Sequence, residues 1–313
     1  MTLSFTFPGQ GSQVVGMGRE FVETFPAARQ VFEEVDEALQ QKFSKLILEG
    51  PQDTLTLTEN AQPAIMAVSM AIVRTLEAEL GKPLSSLCTY LAGHSLGEYT
   101  ALCATGVFSI PDTARLLRLR GQAMQEAVPI GVGAMAAILG LDALEVEALA
   151  NDAALGEVCV IANDNSPGQI VLSGHKGAID RAITLANERG AKRAIPLEVS
   201  APFHCSLMEP AARAMAPALK ETQMNEAQKP VMSNVTAMPI KETSLIRSLL
   251  IDQITGRVRW REIGLNLGSL GVTNVIEIGA GKVLTGLIKR IDPGLEASSI
   301  NTPADMDAFL KTL

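Results

Sequence analysis

The sequence predicts an α/β protein with a largely parallel main sheet and an inserted ferredoxin-like βαββαβ unit. Three patterns lead there. Short apolar or alternating segments are followed by glycine-bearing turns and amphipathic helices, the rhythm of a parallel sheet covered by helices on both faces. The middle of the chain switches to a βαββαβ order. The 313 residues, 47% hydrophobic and 19% charged, suffice for one large domain carrying a smaller insert.

Ser4-Phe5-Thr6-Phe7 alternates polar and apolar and runs into Pro8-Gly9-Gln10-Gly11-Ser12, a strand entering a glycine-rich loop. Phe25, Ala28, Phe32, Val35 and Leu39 recur every three or four residues, which predicts a helix with Pro26 in its first turn. A further helix is expected over 63–80, ended by Gly81 and Pro83. Residues 88–92 read as a short strand, followed by Gly93-His94-Ser95-Leu96-Gly97 and a helix closed by Gly106. A helix is expected over 111–128. Strands are then expected over 133–141, 158–162, 169–173 and 192–199, with helices over 142–153 and 176–189 and a polar loop over 163–168 between the second and third strands. The predicted division is a small domain of residues 131–198 set into a large one of residues 1–130 and 199–313. Past the insert, strands near 231–235 and 274–278 and a helix over 283–291 resume the first rhythm.

No apolar run approaches the ~20 residues of a membrane-spanning helix. The first residues lack the basic and apolar regions of an export signal, so the cytoplasm is the expected compartment. Cys88, Cys103, Cys159 and Cys205 are widely spaced, which argues against a zinc site or a disulfide framework. A formal charge of −8 disfavours nucleic acid and anionic membranes as partners.

The chemistry concentrates at a few positions. Gly93-His94-Ser95-Leu96-Gly97 fits GxSxG between a strand and a helix. A serine on so sharp a turn needs small neighbours, and it stands at a helix N-terminus whose N–H groups can hold an oxyanion. An ordinary tight turn is the plainer alternative. A serine nucleophile needs a base, and the chain has three histidines. His94 adjoins Ser95 in extended chain and so points away from it. His175 lies in a loop of the insert, either within reach of the site or merely solvated. His204, in Ala201-Pro202-Phe203-His204, stands where the insert returns to the large domain, a place that lines clefts or else lies on the surface. On the helix over 111–128, Arg115, Arg118 and Gln122 form the polar stripe, and Arg120 falls in the middle of the opposite, apolar side. A buried guanidinium needs an anion, either an internal carboxylate or the carboxylate of a substrate. Gln10, in the first glycine-rich loop, is a candidate second oxyanion donor or part of a plain turn. Gly279-Ala280-Gly281-Lys282 reads as a packing turn, since it lacks the phosphate-binding patterns.

Eight ordered motifs resemble one family: FPGQGSQ at 7–13, QPA at 62–64, GHSLGEY at 93–99, LRGQAMQEAVP at 119–129, GAMAAI at 133–138, APFHC at 201–205, SNV at 233–235 and GAGKVLTGLIKRI at 279–291. Over almost its whole length the chain resembles the malonyl-coenzyme A:acyl carrier protein transacylases, acyltransferases of bacterial fatty acid synthesis. The resemblance implies an α/β-hydrolase-like core with a ferredoxin-like insert. It implies Ser95 as nucleophile, His204 as base, Arg120 as ligand of the malonyl carboxylate, and Gln10 and Leu96 as oxyanion N–H donors. Gln253 is implied to orient the histidine through its backbone carbonyl, in place of an acidic third triad member. Phe203 resembles the residue that accompanies malonyl rather than methylmalonyl selection.

The implied reaction is ping-pong, with malonyl-coenzyme A as substrate, acyl carrier protein as partner, no permanently bound cofactor or metal, and a monomeric enzyme. An acidic carrier needs a local basic patch, for which Lys192, Arg193, Lys282, Lys289 and Arg290 are candidates. A hydrolase and a non-catalytic carrier-binding protein are the competing readings.

Overall fold

Two sheets organise the chain, described over residues 2–313 of a computed structural model. In chain order the strands are β1 (Leu3–Phe7), β2 (Tyr90–Gly93), β3 (Gly133–Leu139), β4 (Cys159–Ser166), β5 (Gln169–His175), β6 (Arg193–Pro196), β7 (Val231–Met232), β8 (Pro239–Ile240), β9 (Asn274–Ile278) and β10 (Glu296–Ile300). The main sheet runs β10-β9-β1-β2-β7-β8, with every pairing parallel except the terminal β7–β8 pair. The second sheet runs β4-β5-β3-β6 and is antiparallel throughout, the strand order of a ferredoxin-like βαββαβ unit.

β1 is central, and helices cover both of its faces. Ser4 and Thr6 are therefore as buried as Phe5 and Phe7, so the alternation in its sequence does not mark a solvent face. Helix Pro26–Leu39 places Pro26 in its first turn as expected. The helix expected over 63–80 instead spans Thr58–Leu80, with Pro63 inside it. An interior proline forgoes the hydrogen bond of its own nitrogen and crowds the carbonyl one turn back, and here burial around the whole first half of the helix outweighs that cost.

β4 departs most from expectation. It continues through Asn163, Asp164, Asn165 and Ser166, where the polar run predicts a loop, so the β4–β5 connection shrinks to Pro167-Gly168. Register shifts between Ile161 and Asn163 and between Asp164 and Ser166 keep the strand paired. Its polar side chains are buried because they face the rest of the molecule. The Asp164 amide donates to the Val258 carbonyl (3.0 Å), the Val258 amide donates to that of Ala162 (2.8 Å), and Arg261 grips the Asp164 carboxylate through Nε and Nη2, each 2.9 Å from Oδ2. β7 ends at Met232, short of the strand expected near 231–235. β8, β10 and the helices Glu209–Glu221, Thr243–Thr255, Trp260–Ser269 and Pro303–Leu310 lie outside the expected elements; Glu-Ala-Ser-Ser-Ile becomes strand β10 because β9 offers it a parallel partner.

Asp164 is nearly fully buried while Arg261 keeps about a third of its surface, so removing the arginine strands a buried carboxylate. Arg261→Ala is expected to lower unfolding free energy by about 3 kcal/mol, the lower end for a broken buried pair. Urea denaturation checks this, and an unchanged midpoint would show that β4 does not depend on the clasp.

Candidate active site

Ser95 sits in the turn from β2 to helix Leu96–Ala104, with φ 53° and ψ −112°. That backbone is strained for a residue with a side chain, and it persists because its surroundings fix it. A Cβ on Gly93 would lie 1.9 Å from the Gly97 backbone, and one on Gly97 would lie 2.3 Å from the Phe7 carbonyl oxygen. The two glycines of GxSxG are thus required by the close approach of β2, the helix and β1. Asn234 clamps the same turn: its Oδ1 accepts from the Ser95 amide (2.7 Å), and its Nδ2 donates to the Gly93 carbonyl (2.7 Å).

His204 arrives from the other side, on the segment that returns from β6, and it too has positive φ (59°). Ser95 Oγ lies 2.8 Å from His204 Nε2. His204 Nδ1 lies 2.9 Å from the Gln253 carbonyl oxygen and 3.1 Å from that of Gly256. Both oxygens only accept, so Nδ1 carries the proton and Nε2 is left to accept from the serine. Burial first, and the nearby Arg120 cation second, hold the imidazole down at about 3, so it is neutral at physiological pH.

Arg120 lies on helix Ile110–Glu126 and is 2% exposed, as its place on the apolar side predicts. A Cβ on Gly121 would fall 2.4 Å from Glu59 Cα, so this glycine lets the helix approach Thr58–Leu80 closely enough for Arg120 to meet Gln62. Arg120 Nη1 donates to Gln62 Oε1 (2.7 Å), and Nη2 donates to Gln253 Oε1 (2.9 Å) and to Ser95 Oγ (3.2 Å). The guanidinium also lies 5.6 Å from the centre of the Tyr99 ring. Its hydrogen-bond partners are neutral, and no internal carboxylate among the described residues grips it.

The backbone amides of Gln10 and Leu96 donate to no group among the described residues, and both residues line the cavity that contains Ser95. This cavity, of about 440 Å³, also presents Met124, Met135, Val171, Leu197, Val199 and Phe203, an apolar wall drawn partly from the second sheet. His94 turns from the serine, as extended geometry predicts. Its Nε2 lies 2.8 Å from Asn165 Oδ1, its ring packs 5.5 Å from that of Trp260, and burial lowers its pKa. His175 stands away from the site, its Nδ1 accepting from the Val158 amide (2.8 Å). Ser95, His204, Arg120, Gln253, Gln10 and Leu96 therefore converge. Sequence reasoning missed Gln62, Glu98, Asn234 and the Gly256 carbonyl. The first three lie inside motifs already noted, but a polar residue's burial and partners have no local signal.

The chain matches the model of the family described as acyl transferase domain over residues 4–294. The chain belongs to the acyl transferase family. A Bacillus subtilis malonyl CoA-acyl carrier protein transacylase is 45% identical to it over 99% of this chain and 97% of that protein. The crystal structure of an acyl-carrier-protein-S-malonyltransferase from Bartonella henselae is 52% identical, with a TM-score of 0.97 and coverage of 100% of this chain and 99% of that one. A structure of a type II PKS acyl-carrier protein in complex with its malonyl-transacylase matches at 40% identity and a TM-score of 0.96, covering 100% of both chains.

In this acyl transferase the depressed His204 pKa has a consequence for stability. The folded imidazole resists protonation while the unfolded one titrates near 6.5, so below that pH the unfolded chain binds more protons. Stability contributed at neutral pH is then lost as pH falls from about 6.5 towards 3. His204→Gln is expected to show a shallower decline of unfolding free energy over that window, measured by denaturant titration at successive pH values. Parallel curves for the two proteins would refute the assigned burial.

Proposed function

We propose that this enzyme transfers the malonyl group from malonyl-coenzyme A to the phosphopantetheine thiol of acyl carrier protein, by way of an ester on Ser95, in fatty acid biosynthesis. The observation that carries the reading is the joint geometry of the site: a serine hydroxyl 2.8 Å from a neutral imidazole and 3.2 Å from a buried guanidinium that no carboxylate among the described residues contacts. A serine and a histidine alone would serve many acyl esters. The arginine selects an acyl group with a free carboxylate.

Ser95 Oγ attacks the thioester carbonyl as His204 Nε2 takes its proton. The oxyanion lies against the Gln10 and Leu96 amides, each worth about 10²–10³ in rate. The C–S bond breaks, and His204 returns the proton to the departing coenzyme A thiol. The carrier's thiol then gives its proton to His204 and attacks the ester, and the proton passes back to Ser95 as the malonyl group leaves. One Nη1 hydrogen of Arg120 is uncommitted, and an Nη2 hydrogen rests on Ser95 Oγ. Together they fit a malonyl carboxylate end-on. That anion would offset the Arg120 charge that depresses His204, so substrate binding strengthens the base when it is needed.

The proposed carrier-docking patch is the exposed set Lys192, Arg193, Lys289 and Arg290. Lys192 packs over Gly140, which is hydrogen-bonded to Gly168, and Arg290 Nη2 donates to Gln169 Oε1, so both pairs border the β4–β5 turn. Lys282 sits at the far end of helix Val283–Ile291 and is outside the proposed patch. We also propose that residues 131–198 form a small domain within a large one of 1–130 and 199–313. Its support is a separate cluster of buried side chains running from Ala136 to Ala186. Among the described residues no helix is long and apolar enough to cross a membrane, and the proposed compartment is the cytoplasm. No metal or resident cofactor enters the proposed reaction.

Incubation with labelled malonyl-coenzyme A and holo acyl carrier protein tests the function: label is expected on the carrier, whereas release of free malonate would make the protein a hydrolase. Ser95→Ala is expected to abolish the labelled enzyme adduct, and a persisting adduct would move the nucleophile elsewhere. Arg120→Ala is expected to cut kcat/KM for malonyl-coenzyme A by at least about 10²-fold, while adduct formation from acetyl-coenzyme A falls far less. Equal losses with both thioesters would make Arg120 structural.

A further inference from the structure

Glu98 is fully buried beneath the nucleophile turn, and the reaction described above makes no use of it. Its Oε2 accepts from the Asn234 amide (3.1 Å) and from Gln253 Nε2 (2.7 Å), and its Oε1 has no partner among the described residues. Burying a carboxylate with so few donors is unfavourable, and burial pushes its pKa up to about 7. An apolar side chain would fill the same space without that penalty. The reason for a carboxylate is found in its neighbour.

Gln253 touches His204, Arg120 and Ser95 at once. Its backbone carbonyl accepts from His204 Nδ1, its Oε1 accepts from Arg120 Nη2, and its Nε2 donates to the Ser95 carbonyl (3.0 Å) and to Glu98. The two ends of a glutamine amide have almost the same shape and opposite hydrogen-bonding character. Turned end for end, the amide would set an N–H donor against the arginine's N–H donors and leave Arg120 without one of its neutral acceptors. The acceptor at Glu98 Oε2, the closer of the two that receive the amide nitrogen, opposes that reversal together with the Ser95 carbonyl. It serves in either protonation state, because a proton added to the carboxyl has the unpartnered Oε1 to occupy. The Asn234 amide, meanwhile, fixes Oε2 from the opposite side, and Asn234 itself clamps the Ser95 turn.

We infer that Glu98 is a positioning residue of the acyl transfer site: by capturing the Gln253 amide nitrogen it points the Gln253 oxygen at Arg120 and steadies the carbonyl that orients His204. The consequence for transfer rests on the proposed malonyl chemistry, whereas the consequence for His204 does not. The Glu98→Gln variant keeps an oxygen able to accept from Asn234 and Gln253, and Glu98→Ala removes it.

The test uses the full-length protein in two measurements. In malonyl transfer to holo carrier, E98A is expected to lose about 10²-fold in kcat, the scale for a misplacement of roughly 1 Å, while E98Q stays within about threefold of the parent. In ¹⁵N-histidine spectra of the unliganded protein, with H204Q identifying the signal, the parent and E98Q are expected to hold His204 as the single Nδ1–H tautomer, and E98A to show a mixture. A merely structural role would lower Tm without moving the tautomer. If E98A does not fold, E98D carries the same test, since its shortened carboxylate falls short of Gln253. Wild-type kcat and an unchanged tautomer in E98A, or in E98D standing in for it, would overturn the inference, as would E98Q failing as badly as E98A. Should the parent transfer no malonyl group, the function proposed above fails, and the tautomer spectra still decide the role of Glu98.

Discussion

The hydrogen bond between Ser95 and His204 joins side chains 109 positions apart, and most of the surrounding architecture serves to bring them within 2.8 Å. Each is a non-glycine residue with positive φ, a backbone state that persists only under outside constraint. For Ser95 the constraint is the contact of β2 with its following helix and with β1, locked by Asn234. For His204 it is the pair of carbonyls at Gln253 and Gly256, together with a crossing in which Pro202 packs so closely on position 133 that only glycine fits there. Strain at both ends of one hydrogen bond is consistent with a site shaped for chemistry rather than for stability.

The electrostatics depend on the same arrangement. Arg120 is buried among amides and hydroxyls, so its charge is left uncompensated by direct contact, and it acts on whatever lies nearby. It adds to burial in keeping the imidazole neutral in the free enzyme. The apolar wall from Met135, Val171 and Leu197 limits solvent around these groups and so strengthens each interaction. In the proposed reaction a single cation thereby links selection of a diacid to the strength of the base that acts on it.

Much of this was legible in the sequence. GxSxG between a strand and a helix located Ser95, because the motif records a local steric requirement. Arg120 was legible for a related reason: a charge on the apolar side of a helix contradicts the local pattern, and the contradiction marks a site. The order of β3 to β6 was readable from periodicity alone. The polar stretch Asn163 to Ser166 was misread as a loop, since its partners, Val258 and Arg261, lie about a hundred residues away. Glu98, Gln62 and Asn234 were in plain view within motifs, yet nothing local says that a polar side chain will be buried or what it will meet.

By itself the sequence determined most of the strands and helices up to the end of the insert, the turn that carries Ser95 and the misplaced charge at Arg120, because these follow from short-range sterics and from hydrophobic periodicity. Only the tertiary structure decided which histidine tautomer faces Ser95, that Arg120 has amide rather than carboxylate neighbours, and that Glu98, Gln253 and Asn234 join into one network. Those outcomes depend on hydrogen bonds between segments far apart in the chain, whose directions are fixed only once the two sheets have packed against each other.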